Sequence, residues 1–245
     1  MASTSEDTFG RRLNSGYELA GIIENMPDYT PANSNLSFEN FTILLDDIRQ
    51  HNLDTATRQA GLSTQRETRR NLYFAKPAGL VPRSSRIRDY ISSLPGGKRS
   101  ANFLNVQSEV QKMYNYQRRT GSNDTETGET ESGQRRISQS ERSFGSMLET
   151  GQRIAGVLTN MGTGYAPTID DLKLANRLPL MEDIGQKNVD VASALAGVKV
   201  MIAVRKRLYT ENNGLRERIT QIKAYIRARF GRNSPEYISV KHIRY

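Results

Sequence analysis

The chain of 245 residues contains no cysteine and no tryptophan, and only two histidines. Without cysteine it can form no disulfide, no thiolate zinc site and no thiol nucleophile. No apolar run approaches the roughly 18 residues that a membrane-spanning helix needs. Residues 1–16 place acidic side chains before the first arginine and lack the apolar segment of a secretory signal, so we expect an intracellular, cytoplasmic protein.

Hydrophobic residues are scarce as well, at 36% of the chain, and charged residues make up 25%. Globular domains usually contain about 45–50% apolar residues. A chain of this length is expected to form one or two domains. With so little apolar material, the composition favours helical bundles or two small domains over one domain with a thick core.

The sequence contains a long internal repeat. Residues 5–26 and 140–161 are identical at ten of 22 positions, where ordinary residue frequencies would give about one or two. Further matches follow: Tyr29/Tyr165, Leu44/Leu180, Asn52/Asn188, Arg69/Arg205, Tyr73/Tyr209, Gly79/Gly214, Ile87/Ile222 and Tyr90/Tyr225. We interpret the chain as a tandem duplication of a unit of about 100 residues.

Apolar residues recur at helical spacing in both copies. In the last predicted helix of the second copy they are Leu215, Ile219, Ile222, Ile226 and Phe230. Steps of three and four residues place them on one helix face. Further upstream, the spacing predicts one helix over 172–184 and another over 188–209.

Proline and glycine mark the predicted chain reversals at 26–31, 162–167 and 212–214. In the first copy, Pro95 and the two glycines after it predict a last helix that is about one turn shorter. No segment shows convincing β alternation. Each copy is therefore predicted to be an antiparallel bundle of four helices, with three helices as the main alternative because Gly10 and Gly16 interrupt the first helix.

The predicted fold is all-α, with one bundle for each repeat. The first bundle is assigned to residues 5–112 and the second to residues 140–245. The segment between them, 113–139, is rich in Ser, Thr, Gly and Glu and poor in apolar residues. Such a composition cannot bury enough surface to offset the entropy of ordering, which predicts a flexible polar linker.

The second copy contains a run of motifs typical of tandem helical-bundle proteins. They are Tyr165-x-Pro167, Leu208-Tyr209, Gly214-Leu215, Ile222-Lys223-x-Tyr225 and Phe230-Gly231-x-x-Ser234-Pro235-x-Tyr237-x-x-Val240. On these residues the chain resembles an uncharacterised bacterial family built from two such units. The Phe-Gly-x-x-Ser-Pro signature is degraded in the first copy. The resemblance implies the fold and no chemistry.

No constellation of residues indicates catalysis. His51 and His242 do not recur between the copies, and the Glu-x-x-His pattern of di-iron bundles is missing. Phosphate-loop and nucleophile-elbow motifs are missing too. Asp47 and Asp183 recur, and we interpret them as a solvated stripe or as ion-pair partners of Arg69 and Arg205. The sequence predicts no catalytic residue, no metal site and no cofactor.

An arginine and a tyrosine four residues later recur in both copies. Arg69 and Tyr73 are four residues apart, as are Arg205 and Tyr209, so each pair shares a helix face. A guanidinium can stack on a tyrosine ring or pair with a recurring aspartate. We predict a structural clasp near the end of the third helix, with ligand binding as the alternative.

The surplus positive charge is concentrated near the C-terminus, where residues 201–245 carry 11 basic and 3 acidic side chains. The candidate residues for binding an anion or an acidic partner are Arg205, Arg216, Arg218, Lys223, Arg227 and Arg229. Helical spacing places Arg216, Lys223 and Arg227 on one stripe. The surplus is consistent with a solvated face, with a patch for an acidic protein or with a surface for nucleic-acid phosphates.

These observations together predict a non-enzymatic structural or protein-interaction module. Its partner is another protein or a second copy of the chain, and no small-molecule substrate is evident. The alternative is nucleic-acid binding through residues 205–229, although this segment has no helix-turn-helix signature.

Overall fold

The computed structural model describes residues 4–120 and 139–245, with side chains described at 9–116 and 144–245. These residues form α-helices and short 3-10 turns and contain no strand, which confirms the all-α prediction. The helices are α1 Thr4–Glu24, α2 Phe38–Phe74, α3 Leu80–Ser92, α4 Ala101–Thr120, α5 Gln139–Met161, α6 Leu174–Thr210, α7 Leu215–Phe230 and α8 Pro235–Lys241. None of them is both long enough and apolar enough to cross a membrane.

The helices α2 and α6 are continuous over 37 residues each. The prediction of two separate helices at 172–184 and 188–209 is therefore wrong. The short segment between those ranges contains Gly185 but no proline. A glycine inside a helix costs only about 1 kcal/mol, and the helical residues on both sides outweigh it. The last α-helix of each repeat, α4 in the first and α8 in the second, is not among the four predicted helices.

The predicted reversals lie where the chain turns. Asn213, just after α6, adopts a left-handed conformation with φ of 62°. In the loops between the first two helices of each repeat, the hydroxyl of Tyr29 donates to the Leu36 carbonyl, and that of Tyr165 donates to the Leu172 carbonyl, both at 2.7 Å. The first repeat also has the shorter helix, since α3 contains 13 residues and α7 contains 16.

The chain forms two compact units that do not coincide with the repeats. Unit 1 comprises Met1–Ala60 and Leu195–Tyr245, and unit 2 comprises Gly61–Ala194. This division differs from the predicted assignment of one bundle to 5–112 and another to 140–245, which stays a prediction. Each unit combines the N-terminal part of one repeat with the C-terminal part of the other. Both long helices begin in one unit and end in the other, so each repeat contributes to both units.

Each unit has an apolar core to which both repeats contribute. The fully or nearly fully buried side chains of unit 1 include Leu19, Ile23, Phe41 and Leu45 from the first repeat, and Leu215, Ile219, Ile222 and Ile226 from the second. Those of unit 2 include Leu80, Ile87, Val106 and Met113 from the first repeat, and Met147, Ile154, Leu158 and Ile184 from the second. The apolar face predicted for α7 is confirmed.

The predicted linker begins too early in the chain. Residues 113–120 are the last part of α4, and Met113 is fully buried in the core of unit 2. The rest of that prediction, residues 121–138, lies outside the described residues.

Candidate functional site

The six basic residues predicted to form a binding site divide into two groups of three. Arg216, Arg227 and Arg229 are exposed on α7, as expected for a binding surface. Within the described chain, none of these three has an ion-pair partner. The other three, Arg205, Arg218 and Lys223, are engaged inside unit 1.

Arg218 and Lys223 bind backbone carbonyls. Nη1 of Arg218 donates to the carbonyls of Asn35 and Asn40 at 3.1 and 2.8 Å, and its Nε donates to that of Asn213 at 3.0 Å. Partial burial lowers the pKa of Arg218. Nζ of Lys223 donates to the carbonyls of Lys241 and Ile243 at 3.0 and 2.9 Å. Arg218 therefore joins α7 to the start of α2, and Lys223 joins it to the C-terminal end of α8.

Arg205 is also buried, with 7% of its surface exposed, and its guanidinium lies 4.7 Å from the centroid of the Phe9 ring. Its counterpart Arg69 in unit 2 lies 4.1 Å from the centroid of Phe144. Each guanidinium therefore stacks on a phenylalanine of the other repeat. The predicted stacking on a tyrosine ring or pairing with an aspartate stays a prediction.

The recurring tyrosines bond to the same two phenylalanines. In unit 1, the hydroxyl of Tyr209 donates to the Phe9 carbonyl at 3.0 Å and accepts from Nδ2 of Asn52 at 2.9 Å. In unit 2, the hydroxyl of Tyr73 donates to the Phe144 carbonyl at 2.7 Å and accepts from Nδ2 of Asn188 at 3.0 Å. Burial raises the pKa of Tyr73 to about 12 and also raises that of Tyr209. The phenols therefore stay neutral and serve as structural donors.

The candidate catalytic groups are dispersed. Nε2 of His242 lies 2.9 Å from Oε1 of Glu18 on the surface of unit 1, and Asp47 and Asp183 are both exposed. Among the described residues, no group of three or more His, Cys, Asp or Glu side chains could hold a metal ion.

A buried arginine that the sequence reasoning did not consider lies in unit 2. Arg177, the fourth residue of α6, has no exposed surface. Its Nη2 donates to Oγ of Ser84 at 3.1 Å and to the Gly151 carbonyl at 3.2 Å. No acceptor in the described part of the chain reaches its Nε or Nη1.

Burial is the main reason why the pKa of Arg177 is lowered to about 10; Tyr165 acts in the opposite direction, and the nearby charge of Arg83 contributes to the lowering. The side chain is therefore still a cation at neutral pH. A buried polar group without a partner typically costs about 1–3 kcal/mol, and a charged group costs more. Arg83 is also buried, and its Nε lacks an acceptor among the described residues. Unit 2 thus contains a buried region of positive charge.

The sequence does contain a signal for Arg177. In the alignment of the repeats it corresponds to Phe41, a fully buried residue of unit 1. Counting charges along the chain gives a buried cation the same weight as an exposed one, so this substitution within the core goes unnoticed. No protein-family model, no curated protein and no solved structure matches the chain. The resemblance to a bacterial repeat family thus stays a prediction.

Proposed function

We propose that the protein is a non-enzymatic interaction module that associates with further copies of itself through charge complementarity. Its basic surface is formed by the exposed arginines of α7 and is called the α7 face below; Arg216 and Arg227 lie on one stripe of the helix and Arg229 on the other flank. Its partner surface consists of the exposed carboxylates of α1 and α2 in unit 1 of another copy.

The separation of charge along each repeat supports this proposal. Residues 1–60 carry 9 acidic and 4 basic side chains, and residues 195–245 carry 3 and 12. The second repeat begins in the same way, since residues 140–194 carry 7 acidic and 5 basic side chains, while residues 61–112 of the first carry 3 and 10. Both repeats therefore begin acidic and end basic. A single chain supplies both of the surfaces that such an association needs.

The single observation that carries the proposal is the lack of internal neutralisation in unit 1. Arg216, Arg227 and Arg229 are exposed, and so are Glu24, Glu39 and Asp47. Among the described residues, these six side chains form no ion pair with one another or with any neighbour. Exposed opposite charges left unpaired in one molecule can pair between molecules, which favours encounter and fixes orientation.

Nucleic-acid binding is less well supported. Arg205, Arg218 and Lys223 are engaged with the Phe9 ring and with backbone carbonyls, which leaves the α7 face with half of the predicted cations. The tyrosine of α7 is engaged as well, since Tyr225 packs edge-on against Tyr29 at 5.4 Å. Such a surface lacks the free aromatic rings on which bases stack.

The test is sedimentation velocity of the full chain from about 50 to about 500 mM NaCl, a range over which the Debye length falls several-fold. We expect association at low salt that weakens as salt rises. The double substitution Arg216→Glu and Arg227→Glu should weaken it by about tenfold or more, because attraction becomes repulsion. The matched control is Lys98→Glu with Arg99→Glu, which makes the same charge change at exposed positions of unit 2.

Mixing gives a further arm of the same experiment. The acidic α7 variant should associate with a variant carrying Glu39→Arg and Asp47→Arg, because the reversed charges match again. A chain that stays monomeric at every salt concentration, or that associates more strongly as salt rises, would disprove the proposal. A monomer that binds duplex DNA with a log–log salt slope of about −3, the value for three phosphate contacts, would establish the alternative.

Two predictions from the sequence form part of the proposal. One is a cytoplasmic location, where reduced conditions suit a chain without disulfides. The other is the origin of the chain by tandem duplication of a helical unit. The paired contacts of Tyr209 with Phe9 and of Tyr73 with Phe144 support it, because equivalent residues make equivalent bonds.

A further inference from the structure

The two units differ in the polarity of the buried side chains at one place in their cores. In unit 1, Phe41 and Ile219 fill the position with apolar side chains, both at most 2% exposed. In unit 2, the equivalent residues are Arg177 and Ser84, which are fully buried and joined by a hydrogen bond of 3.1 Å. The two polar residues thus occur together in one unit and are both missing in the other. The same fold can be built without them, so packing alone does not require a charge here.

The position of Arg177 adds to the excess of positive charge. It lies in the first turns of α6, a 37-residue helix. The N-terminal end of a helix carries a partial positive charge and favours anions. Arg83, a second buried guanidinium, is close enough to lower the pKa of Arg177. No carboxylate of the described chain bonds to either arginine.

The free donors of Arg177 face a protein interior that offers them no acceptor. Its Nε and both hydrogens of Nη1 are left without a partner among the described residues, and both nitrogen atoms are buried. From these observations we propose that Arg177 of unit 2 binds a small inorganic anion, with chloride as the representative ligand. This site is separate from the α7 face and does not depend on self-association.

The neighbouring hydroxyls favour a monatomic anion over a phosphate or a carboxylate. The hydroxyl of Ser84 donates to the Leu80 carbonyl at 2.7 Å, and that of Tyr165 donates to the Leu172 carbonyl at 2.7 Å. Neither hydrogen is available to a second or third oxygen of an oxyanion. A halide has no such requirement, since it accepts N–H bonds from any direction.

The test replaces sodium gluconate by sodium chloride at constant ionic strength and measures the thermal unfolding of the full chain. Gluconate is too large for a buried site. For a dissociation constant near 10 mM, about 100 mM chloride should raise the Tm by about 3–6 °C. In parallel, the ³⁵Cl NMR signal should broaden when the protein is added.

The decisive variant introduces into unit 2 the apolar residues that unit 1 has at the equivalent positions. Arg177→Phe with Ser84→Ile places at this site the residues that unit 1 already accommodates, so we expect it to fold. Its Tm should no longer depend on which anion is present, and it should not broaden the ³⁵Cl signal. The control Arg99→Ala removes an exposed arginine of the same unit and should retain both effects.

Should the double variant fail to fold, Arg177→Met gives the same comparison by NMR, because it removes the charge and keeps a long side chain. The proposal is overturned if chloride shifts the Tm of the wild type and the variant equally, which would be a general salt effect. It is also overturned if chloride neither shifts the wild-type Tm nor broadens the ³⁵Cl signal.

Discussion

The guanidinium of Arg205, in the second repeat, lies over the ring of Phe9, in the first, 4.7 Å from its centroid. Arg69 and Phe144 make the same contact in unit 2 with the repeats interchanged. These recurring residues therefore join one copy to the other. In each unit, a cation stacked on a ring and a tyrosine bonded to the same phenylalanine hold the exchanged parts together.

This exchange of parts predicts the behaviour of a cut chain. A protease site introduced within 121–138 would yield one fragment containing α1 to α4 and another containing α5 to α8. Because each unit takes helices from both fragments, we expect them to elute together in size-exclusion chromatography without denaturant. Denaturation in urea is the control and should separate them. Fragments that part spontaneously would contradict the exchange of helices between the repeats.

Loss of the tyrosine hydroxyls should destabilise the units. Tyr209→Phe leaves the Phe9 carbonyl and Nδ2 of Asn52 without their partner, and Tyr73→Phe does the same in unit 2. We expect a loss of about 1–2 kcal/mol for each in the free energy of unfolding, measured with urea. The control Tyr114→Phe, at a position that is 41% exposed, should change it by less than about 0.5 kcal/mol. Equal effects at all three positions would contradict the clasp.

Alkaline pH should destabilise unit 2. Burial raises the pKa values of Tyr73 and Tyr165 to about 12 from the ordinary value of 10.0. Since the folded state favours the neutral phenol, this stabilisation is fully present below pH 10 and is lost between about pH 10 and pH 12. Absorbance at 295 nm should therefore show these two tyrosines ionising together with unfolding, and Tyr73→Phe should reduce the pH dependence. Ionisation of all 11 tyrosines near pH 10 without unfolding would contradict the burial.

The sequence predicts the helices better than it predicts their partners. The spacing of Ile219, Ile222 and Ile226 identifies the buried face of α7, because periodicity depends only on which side of a helix faces the core. It does not say which repeat provides that core. Phe9 and Phe144 are equivalent residues in similar surroundings, so Arg205 and Tyr209 could pack on either of them. The continuity of α6 determines which phenylalanine these residues contact. A single glycine, at position 185, is too weak a signal either to predict or to exclude a continuous helix.

Sequence patterns are limited in the same way for the candidate sites, because they do not show which groups a side chain contacts. Helical spacing places Arg216 and Lys223 on one stripe. It does not show that Nζ of Lys223 donates to the carbonyls of Lys241 and Ile243 at about 3 Å. Those acceptors lie about 20 residues further along the sequence. For Arg177, the alignment with Phe41 is visible in the sequence. Its significance depends on its burial, which only the fold reveals.

Glycines at two kinds of position should respond to alanine in opposite directions. A Cβ at Gly214 would lie 2.8 Å from the Glu211 carbonyl oxygen and 2.9 Å from that of Leu208, and these backbone atoms at the end of α6 cannot move away. Gly214→Ala should therefore lower the free energy of unfolding by about 1–3 kcal/mol. A Cβ at Gly156, inside α5, would meet no atom within 4 Å. Gly156→Ala should raise the free energy of unfolding by about 0.5–1 kcal/mol, because alanine loses less backbone entropy in a helix. Urea denaturation of both variants gives the test, and a stabilised Gly214→Ala would mean that the turn between α6 and α7 is looser than these distances allow.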